Sequence, residues 1–362
     1  MNSTHKKIRK DGDNELQYDP ISKKLSILNA LNFNVSDLES PVRIAAEITS
    51  RCNLNCIYCS QKKSIIKKDW PLDNAKKLID EANNSKVFEI SFRGGEATLH
   101  PNFYEIWNYS VNKDFISTSL TTNGMILSKD VVNSMLDSPY SSISVSLDGF
   151  EEVNAKYRNH NQYKKVLNWL LPILPHKRNQ MTVLSTICMD SYSQIFDFAS
   201  FLADEGLKNF SYILQKPLGK NKKNHQHFIS IEEVNFLKEQ LDLIKTKHPD
   251  FNPVMNCYFS NNQSDMQNNI SLPVFTEYFC GAGLKITAEQ NIGISQSIYF
   301  DQEFQNLIYP DETITPRYFG SIRNMENLSE LWCQNKDLRL SQAKIAKKYY
   351  DFFVGKKLFY EL

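Results

Sequence analysis

The chain has 362 residues, and 42 Lys and Arg against 41 Asp and Glu leave a formal net charge of +1. A near-neutral chain gives no overall electrostatic reason to expect nucleic acid or an acidic membrane as a partner. The charged start, MNSTHKKIRKDGDNELQYD, lacks the apolar core of a signal peptide, and the sequence has no apolar run long enough to span a membrane. We therefore expect a cytoplasmic protein, long enough to bury its core without disulfides.

Short apolar runs rich in β-branched residues alternate with segments of helical spacing. The predicted strands are residues 43–49, 87–92, 115–121, 141–147, 182–188 and 210–214. The predicted helices between them are residues 73–83, 101–112, 128–137, 162–171 and 191–205. Because helical crossovers make strands pair in parallel and curl the sheet, the predicted fold class is α/β: a partial (β/α)6 barrel similar to a TIM barrel, with a smaller C-terminal α+β domain.

The domain boundaries follow changes in this rhythm. Residues 1–41 are expected to be an N-terminal extension and residues 42–248 the barrel, which ends with a helix from Ser230 to about Lys247 that starts with a capping box. From Pro249 the pattern changes to Asn-rich loops, a hairpin-like stretch LKITAEQNIGIS and a helix after Leu328. Residues 249–362 are therefore predicted to form the smaller domain.

Three of the seven cysteines, Cys52, Cys56 and Cys59, lie close together in the sequence. This spacing is typical of a metal site in a reducing compartment and not of a secreted disulfide framework. A structural zinc usually takes four protein ligands, and the nearest His in the sequence is His100. We therefore favour a catalytic [4Fe-4S] cluster with one open iron, and the alternative is a non-catalytic protein that binds structural zinc.

Loops after the predicted strands carry the other candidate residues, and sites in parallel sheets form at the carboxyl ends of strands. The cysteine loop follows the first strand, RGGEATLHP the second, TNG the third and SLDGF the fourth. Gly94 and Gly95 would let the main chain pass close to a ligand, and Glu96 could accept from an ammonium group. The alternative is a tight turn at the glycines, and ordinary Asx-type turns explain Asn123 and Asp148 equally well.

The segment EITSRCNLNCIYCS resembles the cluster-binding loop of radical S-adenosylmethionine (SAM) enzymes, and the resemblance continues through FRGGEATLHP, TTNG and SLDGF to YR. It implies that the three cysteines are the catalytic cluster ligands, that SAM is split to a 5'-deoxyadenosyl radical, and that a flavodoxin or ferredoxin donates the electron. Ala97 departs from the commoner GGEP form. The SAM contacts that the resemblance implies are Tyr58, Gly94, Gly95, Glu96, Asn123, Ser146, Asp148 and Arg158.

The segments CGAGLKITAEQNIGIS and FGSIRNMENLSELW resemble a degenerate SPASM or twitch extension, as found after many radical SAM barrels. Only Cys257, Cys280 and Cys333 remain there as ligands of an auxiliary cluster or as hydrogen donors, and we favour plain packing for each and expect no auxiliary cluster.

Because SPASM-type enzymes mostly act on peptides, the resemblance implies cross-linking, epimerisation or oxidation of a peptide or protein. The 51 residues before Cys52 are too few for the leader-binding domain of many such enzymes. The alternative within enzymes is a small-molecule dehydrogenase that acts on a sugar or an alcohol.

Overall fold

The computed structural model of the protein describes residues 6–28, 37–59, 67–215, 231–255, 270–273, 283–294 and 318–340. The chain forms two compact units that interleave along the sequence. The first unit consists of Met1–Thr49, Lys68–Ser119 and Tyr258–Phe352. The second unit consists of Ser50–Lys67, Leu120–Cys257 and Phe353–Leu362. No helix in the described part of the chain is long and apolar enough to cross a membrane.

Strands and helices alternate through the middle of the chain. The described strands are β1 (Lys7–Asp11), β2 (Asn14–Asp19), β3 (Lys24–Leu28), β4 (Arg43–Thr49), β5 (Glu89–Gly94), β6 (Ser117–Thr122), β7 (Ser141–Ser146), β8 (Met181–Ile187), β9 (Asn209–Leu214), β10 (Asn252–Met255), β11 (Ile270–Pro273), β12 (Gly283–Ile286), β13 (Asn291–Ile294) and β14 (Gly320–Ser321). The described helices are α1 (Leu72–Asn84), α2 (Phe103–Val111), α3 (Lys129–Met135), α4 (Glu151–Arg158), α5 (Tyr163–Leu170), α6 (Leu174–Lys177), α7 (Met189–Tyr192), α8 (Ile195–Asp204), α9 (Ile231–Lys247) and α10 (Leu328–Gln334).

The first unit contains a four-stranded antiparallel sheet in the order β1-β2-β3-β11. Strand β1 reverses the usual pattern, because Ile8 is 49% exposed whereas Arg9 is 4% exposed. Arg9 can face inward because its guanidinium donates to Asp11 Oδ2 at 2.8 Å and to Ser40 Oγ at 2.6 Å. Buried charges are tolerated when they are paired in this way. The predicted N-terminal extension is therefore largely β-sheet.

Parallel strands make up the rest of the first unit's framework. Strand β4 pairs in parallel with β5 on one side and with β12 on the other, and β13 and β14 continue antiparallel from β12. Helix α1 is amphipathic, with buried residues at the helical spacing Ala75, Leu78, Ile79 and Ala82. Lys285 Nζ lies 2.6 Å from Glu47 Oε1, and both side chains are buried. Strands β12 to β14 of the predicted C-terminal domain thus extend a sheet of the first unit, whereas β10 of the same predicted domain pairs with β9 in the second unit. The predicted domain boundaries stay a prediction.

The second unit has a parallel sheet in the order β7-β8-β9-β10. Its strands alternate in burial, as expected of a sheet whose two faces meet different surroundings. On one face Phe210 of β9 packs edge to face against Phe198 of α8, with ring centroids 6.5 Å apart. On the opposite face Ser144, Ser146, Thr182, Leu184, Ser211 and Ile213 are half-buried, whereas Ser142 and Thr186 are buried.

All six predicted strands of the β/α region are present, with ends that differ by no more than two residues from the prediction. The predicted single helix at residues 191–205 is wrong, because the chain leaves the helix at Gln194, whose φ is −123°. The Gln194 side chain accepts a hydrogen bond from Phe150 N at 2.9 Å, which stabilises this break between α7 and α8. Helix α4 was not predicted. Ser230, Cys257 and Cys280 lie outside the described residues.

Candidate active site

The three clustered cysteines lie on one loop of the second unit, and none of them forms a disulfide with another described cysteine. Cys52 and Cys59 are exposed and Cys56 is half-buried. Within the loop, Leu54 N donates to Cys52 Sγ at 3.4 Å and Cys59 N donates to Cys56 O at 3.3 Å. Hydrogen bonds to sulfur are among the features that tune cysteine-ligated clusters.

The two chain segments that lead into and out of this loop are joined to each other in the first unit. Trp70 N donates to Ile48 O at 2.9 Å, and Thr49 forms an antiparallel bridge with Asp69. Thr49 Oγ1 also donates to Asp69 Oδ1 at 2.6 Å. We call these three interactions the base clasp. The cysteine loop therefore starts and ends at neighbouring points.

The predicted glycine motif lies against the same Thr49. Gly94 has φ +145°, and a Cβ at this position would lie 2.3 Å from Thr49 O. Gly95 N donates to that carbonyl oxygen at 2.9 Å. Only glycine fits at residue 94, both for its positive φ and for this close approach. Strand β4, which ends at Thr49, therefore requires glycine at residue 94.

Glu96 is buried and begins a short 3-10 helix, Ala97–Leu99. Its Oε1 accepts from Thr98 Oγ1 at 2.6 Å and from Thr98 N at 3.3 Å. These bonds hold the carboxylate in place next to the two glycines. The predicted cluster of Gly94, Gly95 and Glu96 therefore forms one rigid turn in the first unit.

In the second unit Asp148 joins three parts of the predicted site. Asp148 Oδ1 accepts from Arg158 at 2.7 Å and from Thr186 N at 2.9 Å, and Tyr58 donates its hydroxyl proton to Asp148 Oδ2 at 2.5 Å. Asp148 is 0% exposed and Arg158 5%. Ile57 N also donates to Tyr157 O at 2.9 Å. Helix α4 and the end of β7 therefore hold the cysteine loop through residues next to Cys56.

This group of charges changes the titration of its members. Burial alone would lower the pKa of Arg158, but Asp148, Tyr58 and Cys56 raise it, so the guanidinium stays charged. Burial raises the pKa of the Cys56 thiol to about 11, and the Arg158 cation acts in the opposite direction. Burial also raises the pKa of Tyr58. Arg158 thus supplies a fixed positive charge that favours a thiolate at Cys56.

Asn123 and Ser146 occupy the ends of β6 and β7. Asn123 Nδ2 donates to Asn53 Oδ1 of the cysteine loop at 2.7 Å, while Asn123 Oδ1 accepts from Met125 N at 2.9 Å. Asn123 therefore forms an Asx-type turn and also holds the loop. Ser146 is half-buried, and its main-chain oxygen accepts from Gln162 Nε2 at 2.7 Å.

The structure thus brings Tyr58, Asn123, Asp148 and Arg158 together around the cysteine loop. Thr186 and Tyr157, which also contact this group, were missed. The sequence shows Thr186 only as a strand residue, and Tyr157 lies on helix α4, which was not predicted. Cys188 was missed as well; it is a buried thiol at the end of β8, in an apolar cluster against which Ile57 and Tyr58 pack. Cys333 lies in the first unit, exposed, with Sγ 3.5 Å from Glu39 O.

The donor set fits a polynuclear cluster. Among the described residues no three His, Cys, Asp or Glu side chains converge as ligands of a single metal ion. A cubane cluster asks for something different, because each thiolate binds its own iron and the ligands are spread over a loop. Three cysteines on one loop, with a sulfur that accepts from a main-chain N–H and a cation beside Cys56, provide such ligands.

Comparison with known proteins agrees with this geometry. The family model of the Radical SAM superfamily matches residues 46–199. The mycofactocin maturase MftC of Mycolicibacterium smegmatis is 25% identical over 171 residues, which are 47% of this chain and 43% of that protein. The PqqA peptide cyclase of Bradyrhizobium diazoefficiens is 29% identical over 36% of each chain. The matched region thus spans less than half the length of these curated relatives.

Two solved structures share the fold. The anSMEcpe structure with bound AdoMet and the Cp18Cys peptide superposes with a TM-score of 0.61 and 16% identity, covering 84% of this chain and 82% of that one. The Streptococcus suis SuiB structure bound to its precursor peptide SuiA has a TM-score of 0.60 and 16% identity, covering 81% and 65%. These likenesses confirm the predicted α/β fold class. The family match shows that residues 46–199, which include the cysteine loop, are a domain of the Radical SAM superfamily, whose members use a [4Fe-4S] cluster and SAM.

Proposed function

We propose that the protein is a radical SAM enzyme that abstracts hydrogen from a peptide or protein and so modifies it after translation. The observation that carries this proposal is the loop with Cys52, Cys56 and Cys59, which is closed by the base clasp and held by residues of the second unit. The peptide part rests on what the relatives are named for, a maturase and a peptide cyclase, and on solved structures with peptides bound. The type of modification is not part of the proposal.

Each group of residues has a defined task in this proposal. Cys52, Cys56 and Cys59 would hold the cluster, which when bound and reduced supplies the electron that splits SAM to a 5'-deoxyadenosyl radical. Gly94 keeps the main chain against Thr49, and Gly95, which has no side chain, would let a ligand approach the backbone next to it. Glu96, fixed by Thr98, would accept from the amino group of SAM.

The charged group around Asp148 would act mainly on the loop. Tyr58 and Arg158 are both hydrogen-bonded to Asp148, and Asn123 is bonded to Asn53, so their contacts keep the cysteines in position. Arg158 would also hold a positive charge next to the ligand Cys56, where it stabilises the thiolate. Ser146, half-buried at the end of β7, would contact SAM directly. A flavodoxin or ferredoxin would donate the electron.

The first test uses the anaerobically prepared, cluster-loaded protein. Cys56→Ala should abolish 5'-deoxyadenosine formation and leave the far-UV circular dichroism unchanged, because the loop lies outside the core. Cys333→Ala, which replaces another free thiol, serves as the matched control and should cleave SAM normally. Normal SAM cleavage by Cys56→Ala, or one equivalent of zinc with no iron–sulfur absorbance in the wild type, would contradict the proposal.

The second test addresses the peptide. Reduced enzyme and SAM are incubated with the product of a short reading frame next to the gene, and the peptide is analysed by mass and by amino-acid stereochemistry. We expect a changed mass or configuration that depends on SAM. An unchanged peptide together with SAM cleavage that responds to sugars or alcohols would instead support a small-molecule dehydrogenase.

A further inference from the structure

The second unit's sheet has a polar face that the cysteine loop does not explain. Strand pairing places Ser146 beside Leu184, Leu184 beside Ser211, and Thr186 beside Ile213. Since side chains alternate along a strand, every second residue of each of the three strands lies on the same face. We call it the serine face; its half-buried members are Ser144, Ser146, Thr182, Leu184, Ser211 and Ile213.

Gln215 lies at the carboxyl end of this face. It directly follows β9, two residues after Ile213, and so continues the same face as Ser211 and Ile213. Its main-chain N donates to Ile187 O at 2.8 Å, which continues the pairing of the sheet. The side chain is buried, with 3% of the residue exposed. Neither its Oε1 nor its Nε2 has a hydrogen-bond partner in the part of the chain that the structure describes. A buried amide with both groups unpaired is rare in folded proteins.

Other glutamines of the same unit behave differently. Gln180 Nε2 donates to Ser138 O at 2.8 Å and to Ser141 O at 3.0 Å. Gln162 Nε2 donates to Ser146 O, and only its Oε1 has no partner among the described residues. These amides stabilise the connections between elements. Gln215 makes no such connection among the described residues, although its side chain is buried like that of Gln162. An unpaired buried amide destabilises the protein unless a ligand completes it.

The chemistry of the missing partner follows from the amide. A primary amide presents an acceptor and a donor side by side in one plane, and a peptide bond or a second carboxamide offers the matching pair. The named members of the serine face are hydroxyl or aliphatic side chains, so a charged ligand group would find no counter-charge among them. We propose that Gln215 and the carboxyl end of the serine face bind a neutral amide group of the substrate. This inference rests on the proposed peptide-modifying function.

The test uses the full-length, cluster-loaded protein with SAM and the probe N-acetyl-trialanine amide, whose binding is followed by saturation-transfer NMR. Gln215→Leu should weaken probe binding about tenfold, as expected for the loss of paired hydrogen bonds in a buried site. An analogue of the probe with one central ester in place of an amide should bind to the wild type more weakly than the probe does. The analogue and the probe should bind equally to Gln215→Leu. Thr182→Val, on the same face but at the start of β8, is the matched control and should bind the probe normally.

Thermal unfolding without the probe gives a second, independent measurement. Gln215→Leu should unfold at a temperature equal to or higher than wild type, because two unpaired polar groups are removed from the interior. If Gln215→Leu fails to fold, Gln215→Met takes its place with the same expected loss of probe binding. SAM affinity should not change in either variant.

Four outcomes would overturn the inference. Equal probe binding by wild type and Gln215→Leu excludes the role in substrate binding while the peptide function stands. Weaker SAM binding with unchanged probe binding would show that the amide contacts the adenine edge. A clearly lower unfolding temperature would show that Gln215 is a structural residue. Wild type that binds neither the probe nor the neighbouring peptide contradicts the proposed peptide function itself and the inference with it.

Discussion

The buried pair of Asp148 and Arg158 gives a quantitative prediction for Asp148→Asn. The substitution keeps the size of the side chain but removes the charge that pairs with Arg158 NH2 at 2.7 Å. Arg158 would then be a buried guanidinium without its counter-charge. Removing one partner of a buried pair typically costs about 3–5 kcal/mol. That is a large fraction of the roughly 5–15 kcal/mol by which folded proteins are stable.

Urea unfolding of the cluster-free protein, followed by circular dichroism, measures this loss. Asp190→Asn is the control from the same unit, because Asp190 pairs with Lys156 at 2.6 Å with side chains 37% and 54% exposed. Asp190 also accepts from the Tyr157 hydroxyl, and an asparagine oxygen can still accept that hydrogen bond. Exposed pairs contribute about 0–1 kcal/mol, so the control should unfold almost as wild type does. The double variant Asp148→Asn with Arg158→Gln should lose less than the sum of the single losses, since no buried charge remains. Equal losses for Asp148→Asn and Asp190→Asn would refute the reasoning.

Two further predictions concern the turn at Gly94 and the thiol of Cys56. Gly94→Ala should lower the free energy of unfolding by about 2–5 kcal/mol, because of the strained positive φ and the contact with Thr49 O. Gly206→Ala is the control, since residue 206 has φ +92° and open space around it, so that only the backbone strain should destabilise this variant. Similar unfolding midpoints for the two variants would contradict this. In cluster-free protein Cys56 should react slowly with iodoacetamide at pH 8, and its rate should rise as the pH approaches its pKa of about 11, because only the thiolate reacts. Peptide mapping measures this rate, and a rate that is already level near pH 8 would show that the thiol is not so perturbed.

The β/α region could be predicted from the sequence because its strands are short runs of apolar, β-branched and small residues and most of its helices are amphipathic. Periodicity therefore gave six strands in the right places, and with them the loops that carry the site. The N-terminal sheet could not be found in this way. In β1 the charged Arg9 is buried and the apolar Ile8 is exposed, so its hydrophobic pattern points to the wrong face. Burial of Arg9 depends on Asp11 and Ser40, and a pattern within one strand cannot reveal such a partner.

The site was predicted as a set of residues but not as a set of contacts. Asp148 and Arg158 were both expected near SAM, and their direct pairing depends on helix α4, whose short sequence EEVNAKYR has a weak apolar stripe. The unpaired amide of Gln215 was equally invisible, because a glutamine after a strand gives no signal of its burial. Side-chain partners between distant segments are set by packing, which local patterns do not encode.

The base clasp at Thr49 and Asp69 has a consequence for how the protein acquires iron. Bringing the ends of a flexible loop of about 19 residues together costs about 3 kcal/mol of chain entropy by (3/2)RT ln n. In this protein the pairing of Ile48 and Thr49 of β4 with Trp70 and Asp69 already holds the two ends of the loop together when the chain is folded. Iron and sulfide therefore do not have to organise the chain, in contrast to small metal domains that fold only when the metal binds. We expect cluster assembly to be a late step on an already folded protein, so that a damaged cluster can be rebuilt without unfolding.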